Sequence, residues 1–149
     1  FSATGHMIPV LKTVGDKIDL ISFQGYNTGA STNRSIMYDA YAYYANQYGF
    51  TIAAGVHYPE EPWGPFYTYT HQNVAELSEH ILNHADRKDA NDGIMIWQML
   101  LEGANSSAYS YLNTASKVLN GSETRISIEE ANDFSSSPYS GEEIDCTVK

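Results

Sequence analysis

Aromatic and neutral polar side chains follow the apolar stretches of this sequence, and together they are the residue types that bind sugars. Gln24, Tyr26 and Asn27 close the first stretch, whereas Trp97 and Gln98 close the third. Tyrosine and tryptophan rings offer flat apolar surfaces to pyranose rings, and amide and hydroxyl groups form hydrogen bonds with polar groups of the sugar. These residues predict a carbohydrate site if the fold brings the stretches together.

The loop after the second apolar stretch adds carboxylates and an indole. It contains Glu60, Glu61 and Trp63, and Glu102 follows the third stretch. A retaining glycosidase of the two-carboxylate type needs two such groups about 5–5.5 Å apart. Glu60 or Glu61 is therefore a candidate nucleophile, paired with an acid from outside this chain.

The apolar stretches predict strands, and the segments between them predict helices. Each stretch is almost continuously apolar, which is typical of strands covered on both faces, and these strands are predicted at residues 18–26, 50–56 and 93–99. Helical patterns are predicted at residues 7–14, 35–48, 71–85 and 106–119, with Thr70 as an N-cap and Gly121 as a stop. In the helix at 35–48, one side is predicted to carry Ile36, Ala40, Tyr43, Tyr44 and Gln47.

Alternating strands and helices predict the α/β class with parallel strands, in an open doubly wound sheet or in a closed barrel. In both, the carboxyl ends of the strands meet at one edge, where chemistry takes place. The chain has 149 residues, whereas a complete eight-stranded barrel needs about 250. We therefore expect residues 1–121 to form part of a barrel domain. The Ser- and Glu-rich residues 122–149 are predicted to be a peripheral extension or linker.

Charge and composition exclude several classes of function. The formal net charge of −10 disfavours binding to nucleic acids or to anionic membrane surfaces. The apolar runs are also too short to span a membrane. We expect no cofactor.

Two histidines have a spacing that could bind a metal ion, but the sequence shows no third ligand near them. His80 and His84 are four residues apart on a predicted helix, without the intervening pattern of zinc proteases. We expect surface histidines and no metal.

Three segments resemble the barrel of glycoside hydrolase family 18 chitinases. Residues 18–27 (IDLISFQGYN) look like the sixth strand, residues 59–64 (PEEPWG) resemble the loop after the seventh, and residues 92–97 (DGIMIW) are similar to the eighth. The order and spacing of the three segments agree over about residues 1–120. The resemblance implies the C-terminal portion of a (β/α)8 TIM barrel, with about strands 6–8 and their helices.

The resemblance also implies a mechanism and roles for the candidate residues. In that family the acetamido oxygen of the substrate attacks the anomeric carbon, which is an exception to the two-carboxylate scheme. By motif, Tyr26 would orient that acetamido group, Gln24 and Asn27 would hold neighbouring polar groups, and Trp97 would stack under the sugar. Trp63 would form an accessory wall.

One departure from the family is important, because its acidic signature D-x-x-D-x-D-x-E is absent. Hydrolysis would then need the missing N-terminal half of the barrel, and this chain alone is expected to be inactive. The expected partners are that half and chitin or N-acetylglucosamine oligosaccharides, and the resemblance implies a secreted protein. A carbohydrate-binding, lectin-like barrel that has lost its acid is the non-enzymatic alternative.

Overall fold

The structure is a computed structural model, and it describes residues 7–29, 31–58, 69–84, 91–98 and 105–121. In these ranges the helices are α1 (Met7–Val14), α2 (Arg34–Tyr48), α3 (His71–Asn83) and α4 (Asn105–Asn120). The strands are β1 (Leu20–Gln24), β2 (Thr51–His57) and β3 (Gly93–Trp97), and a 3-10 turn (Gly15–Lys17) precedes β1. The strand ends lie within two residues of the predicted ones.

The strands form one parallel sheet in the order β1-β2-β3. Gln24 pairs with Gly55, and His57 pairs with Trp97. The chain therefore alternates parallel strands with helices, which confirms the predicted α/β class and is consistent with a portion of a barrel. Since the strands are parallel, the carboxyl ends of β1, β2 and β3 lie at the same edge of the sheet.

Helices cover one face of this sheet and form the core with it. Ile52, Ala54 and Val56 of β2 are completely buried, and Phe23 of β1 is 3% exposed. Burial of a side chain as large as Ile52, Val56 or Phe23 contributes roughly 1.5–3 kcal/mol to folding. Helices α2, α3 and α4 contribute the buried residues Tyr38, Tyr41, Val74, Leu77, Ile81, Tyr111 and Ala115.

Within the described residues, the other face of the sheet is open along β1 and at the end of β3, whereas His57 of β2, which shares this face, is buried. In the observed register it carries Leu20, Ser22, Gln24, Met95 and Trp97, and we call it the open face. Leu20 is 56% exposed and Trp97 is 42% exposed. The prediction that the strands are covered on both faces is therefore met on one face only.

Helix α2 buries a different side from the predicted one. Ile36 and Tyr43 are 60% and 58% exposed, whereas Tyr38 is completely buried. The apolar and tyrosine residues of α2 are spread around the helix, so its sequence pattern did not select a face. A long-range contact favours burial of the side that carries Tyr38, because the Tyr38 hydroxyl donates to Oδ2 of Asp92 at 2.7 Å.

Asp92 ties the start of β3 to its neighbours. Its carboxylate is buried, and Oδ1 accepts a hydrogen bond from the backbone N–H of Ile52 at 2.8 Å. Together with the bond from Tyr38, this contact joins α2, β2 and β3 at the amino edge of the sheet. A buried carboxylate with two such donors is compensated for its loss of hydration.

The helix ends follow local sequence rules. Thr70 forms the predicted N-cap of α3 within a capping box that also involves Asn73. Asn33 caps α2 by accepting from the N–H of Ile36, and Gly49 ends it in the left-handed conformation with φ 85°. In the part of the chain that the structure describes, no helix has the length and apolar character needed to cross a bilayer.

Candidate functional site

Gln24 ends β1 and projects from the open face, where it is exposed. The sequence predicts a buried amide here, because the residue lies inside an apolar stretch. That expectation is wrong for the described residues, since nothing among them covers this face of β1. The amide therefore carries no desolvation penalty in this structure and is accessible to a ligand.

Tyr26 lies on the same side of the sheet, beyond the end of β1. A side-chain carbon placed on Gly55 would approach Cε1 of Tyr26 to 3.2 Å and Cε of Met95 to 3.0 Å. The phenol ring therefore lies against Gly55 on the open face, and Tyr26 is 6% exposed. Glycine at position 55 provides the space that this ring occupies.

His57 holds the ring of Tyr26 from the side. It is the last residue of β2, is 1% exposed, and lies between two tyrosines. Its ring centroid is 5.3 Å from that of Tyr26 and 5.6 Å from that of Tyr69, both in edge-on geometry. Such aromatic contacts fix ring orientation, so Tyr26 is held in place at the rim of the sheet.

The backbone that carries Tyr26 is fixed by Arg34 and Tyr69. The carbonyl oxygen of Gly25 accepts from Nε of Arg34 at 3.0 Å and from the hydroxyl of Tyr69 at 2.8 Å. Arg34 is 8% exposed and also donates to the carbonyl oxygens of Gly29 and Thr32. One buried guanidinium thus binds the carbonyls along the loop that follows β1.

Sequence reasoning did not find Arg34 or Tyr69. One signal was present, because an arginine in the first turn of a helix opposes the helix dipole. An arginine at this position therefore indicates a different interaction. In this structure Arg34 binds backbone carbonyls of the preceding loop. Asn27 in this loop has a φ of 55°, and its Oδ1 is buried. An asparagine tolerates this left-handed conformation better than most residues.

Tyr111 supports Tyr69 from the helical side. Its hydroxyl donates to the carbonyl oxygen of Tyr69 at 2.5 Å. Burial raises the pKa of the Tyr111 phenol, and the neighbouring Tyr58 raises it further. The hydroxyl therefore remains a donor up to a higher pH than that of an ordinary tyrosine.

Trp97 ends β3, and the register puts it on the open face. Its carbonyl oxygen accepts from the N–H of Tyr58 at 2.8 Å, and the N–H of Gln98 donates to the carbonyl of Tyr58 at 3.2 Å. A cis peptide bond joins Trp97 to Gln98, which is half-buried. The indole is 42% exposed, so it offers an aromatic surface at the rim.

The structure thus brings three of the predicted site residues to one edge and one face. Gln24 and Tyr26 come from the end of β1 and Trp97 from the end of β3, with β2 between them. Neighbouring strands are about 4.8 Å apart, so β1 and β3 are separated by roughly 10 Å. The predicted residues Trp63, Glu60, Glu61 and Glu102 lie outside the described residues.

The histidines of α3 differ from expectation. Asp39 of α2 lies beside His80 and His84, so a third ligand-type side chain is present that the sequence did not reveal. The expectation that no such group lies nearby is wrong, because packing of α2 against α3 joins residues that are far apart in the chain. This cluster lies on the helical side of the sheet, away from Tyr26.

Comparison with known proteins finds a distant similarity to a chitinase. A chitinase of Plasmodium falciparum (isolate 3D7) is 25% identical to this chain over 108 residues, which are 69% of the chain and 28% of that chitinase. The chain therefore spans little more than a quarter of the length of this relative. No protein-family model and no solved structure matches the chain.

Proposed function

We propose that the intact protein is a chitinase-like glycoside hydrolase of family 18 type, which cleaves β-1,4-linked N-acetylglucosamine polymers with retention of configuration. The observation that carries this proposal is the position of Gln24, Tyr26 and Trp97 on one face at the carboxyl edge of parallel strands. The 25% identity to a Plasmodium chitinase supports it. The catalytic acid lies outside this chain.

In the proposed reaction the substrate supplies its own nucleophile. The acetamido oxygen attacks the anomeric carbon, while the acid from the rest of the protein protonates the leaving glycosidic oxygen. The hydroxyl of Tyr26 donates a hydrogen bond to the acetamido oxygen, which aligns it for attack. Since charge develops on the acetamido group during the attack, a fixed donor there also lowers the barrier. Water then opens the cyclic intermediate from the side of the departed sugar.

The remaining residues bind and orient the sugar. Trp97 stacks under the ring at the cleavage point and favours a distorted ring that approaches the transition state. Gln24, Asn27 and Gln98 offer amides to polar groups of the substrate, and Trp63 forms an accessory wall. Gln24 supports this role because it is exposed on the open face although it lies in a strand.

The decisive experiment compares acetylated and deacetylated chito-oligosaccharides as substrates of the intact protein. Substrate assistance requires the acetamido group, so we expect turnover of the acetylated oligomers and none of the fully deacetylated ones. The anomer released first should have the β configuration, which NMR of the fresh products would reveal. Equal turnover of both substrates would exclude this mechanism and favour a carboxylate nucleophile. Binding of acetylated oligomers without turnover would favour the lectin-like alternative.

A further inference from the structure

A compact group of metal-ligand side chains lies between helices α2 and α3, far from the proposed sugar site. We call it the Asp39 cluster, and it consists of Asp39, His80 and His84. Nε2 of His80 lies 2.5 Å from Oδ1 of Asp39, and Nε2 of His84 lies 3.0 Å from the same oxygen. All three potential ligand atoms lie within 4.8 Å of one another.

Local structure explains why the two imidazoles converge. Residues four apart on a helix lie on the same face. His80 is in the last turn of α3, and His84 is the residue that caps its end, so the two side chains are neighbours. Their ring centroids are 5.6 Å apart. Asp39 is contributed by α2, which packs against α3. The cluster therefore joins two helices through Asp39 and His80, which are 41 residues apart in the chain.

Tyr38 closes the inner side of the cluster and fixes both imidazole rings. Its ring centroid lies 6.1 Å from that of His80 and 5.4 Å from that of His84, with interplanar angles of 87° and 83°. Tyr38 is itself held by its buried bond to Asp92. The donors are thus presented by a rigid base, as a metal site requires.

The outer side of the cluster is accessible to ions. The side chains of His80, His84 and Asp39 are 33%, 14% and 40% exposed. The formal charge of −10 on the chain also raises the local concentration of cations.

The donor set selects the kind of ion. Two imidazole nitrogens and one carboxylate oxygen suit transition metals such as zinc, whereas magnesium and calcium prefer oxygen ligands alone. Zinc binds nitrogen and oxygen at about 2.0–2.2 Å, so ligand atoms around it are about 3.4 Å apart in a tetrahedron. The two Nε2–Oδ1 distances of 2.5 and 3.0 Å therefore need to lengthen by less than 1 Å, which side-chain rotation supplies.

We propose that Asp39, His80 and His84 form a three-ligand site for a divalent transition-metal ion, of which Zn²⁺ is the best match. Water completes the coordination. The ion joins α2 to α3 on the helical side of the sheet, so its effect is on stability rather than on sugar cleavage. The proposal does not depend on the proposed glycosidase activity.

The test is calorimetric titration of the metal-free intact protein with Zn²⁺. We expect the wild type to bind one more equivalent than the double variant His80→Gln/His84→Gln, and Zn²⁺ to raise its Tm. Asp39→Asn should weaken binding at this site at least about tenfold, because even loss of a supporting outer group costs metal sites that much. Mg²⁺ at the same concentration should leave the Tm unchanged.

His71→Gln is the matched control. His71 is on the same helix but contacts Thr114 and Ser110 instead, so this variant should keep the extra equivalent. Co²⁺ provides a second readout, since its visible absorption reports imidazole ligation. We expect this absorption in the wild type and in Asp39→Asn, which retains the side-chain shape. Equal zinc stoichiometry in the wild type and the double variant, or no zinc-induced change in Tm, would overturn the proposal and leave only a contact between Asp39 and the two histidines.

Discussion

At the scale of single residues, the most consequential contact is that of Tyr26 with its surroundings. Its ring lies against Gly55 and His57, so its orientation is set by the fold rather than by a ligand. A phenol ring that is already held in place needs little reorganisation when a ligand binds. This pre-organisation supports the proposed role of Tyr26.

Tyr26→Phe removes the hydroxyl and keeps the ring. In the proposed mechanism the turnover of acetylated oligomers should fall about 10²–10³-fold, as for loss of one oxyanion donor, while KM changes little. Steady-state kinetics on the intact protein measures this. Tyr43→Phe is the control, since Tyr43 is 58% exposed on α2. Undiminished kcat in Tyr26→Phe would remove Tyr26 from the mechanism.

Trp97→Ala separates binding from folding. The indole is 42% exposed, so its removal should lower the free energy of unfolding by about 1 kcal/mol or less. Loss of stacking should raise the Kd for chito-oligosaccharides about tenfold, which corresponds to about 1.4 kcal/mol. Calorimetry and urea unfolding of the intact protein give the two quantities.

The control for Trp97 is Leu20→Ala. Leu20 lies on the same open face but at the amino end of β1, and it is 56% exposed. It should leave the Kd unchanged. If Trp97→Ala bound sugar as tightly as Leu20→Ala, the indole would have no part in recognition.

At the scale of elements, the loop between β1 and α2 depends on one buried guanidinium. Arg34→Gln removes bonds to the carbonyls of Gly29 and Thr32 and leaves the carbonyl oxygen of Gly25 with the bond from Tyr69. We expect the free energy of unfolding to fall by about 1–3 kcal/mol. Turnover should fall too, because the loop carries Tyr26.

Tyr69→Phe provides the matched comparison for Arg34→Gln. It removes a single bond to Gly25, so its effect on stability should be smaller, at about 1 kcal/mol. Chemical denaturation of both variants compares their free energies of unfolding, and steady-state kinetics compares their turnover. Wild-type turnover in a folded Arg34→Gln protein would show that the loop keeps its shape without the guanidinium.

The close approach of β1 and β2 requires glycine at position 55. A Cβ there would lie 2.5 Å from the carbonyl oxygen of Phe23, which is backbone and cannot rotate away. Gly55→Ala should therefore destabilise the protein by about 1–3 kcal/mol through overpacking, and displace Tyr26. Thermal unfolding measures the loss of stability.

Gly93→Ala is the control in the same sheet. Its nearest neighbour would be a side-chain carbon of Leu119 at 3.7 Å, an ordinary contact. Its effect on stability should be within about 0.5 kcal/mol. Equal losses in the two variants would mean that the strand backbone, and not the close approach, governs the effect.

At the scale of the whole molecule, buried tyrosines predict how stability depends on alkaline pH. Burial raises the pKa of Tyr41 and Tyr111 above 10.0 in the folded state. The unfolded chain then releases its tyrosine protons first, so it binds fewer protons than the folded chain above pH 10. Stability is therefore fully present below pH 10 and declines as the pH rises through the folded pKa values.

Urea unfolding at a series of pH values from 8 to about 11 tests this expectation. Tyr111→Phe should lessen the alkaline decline, because its phenol no longer titrates. It should also lower stability at neutral pH by about 1 kcal/mol, since the bond to the Tyr69 carbonyl is lost. A decline of the same steepness in wild type and variant would contradict the assignment to Tyr111.

The sequence by itself determined the elements, their order and the edge at which the site residues lie. Apolar strand stretches, helical periodicity and the Thr70 cap are local signals, because they arise from neighbours within a few residues. Parallel strands followed from strand–helix alternation, and parallel strands require their carboxyl ends to meet. Gln24, Tyr26 and Trp97 could therefore be assigned to one edge before any coordinates were known.

Only the tertiary structure decided which faces those elements use and which distant residues meet. Helix α2 buries Tyr38 because Asp92, 54 residues away, binds its hydroxyl. Gln24 is exposed because no described element covers the open face, and Asp39 meets His80 through helix packing. Local periodicity carries no information on such contacts, since they depend on how separate elements are placed in space. The same reason kept the Asp39 cluster and the bonding partners of Arg34 from being predicted from the sequence.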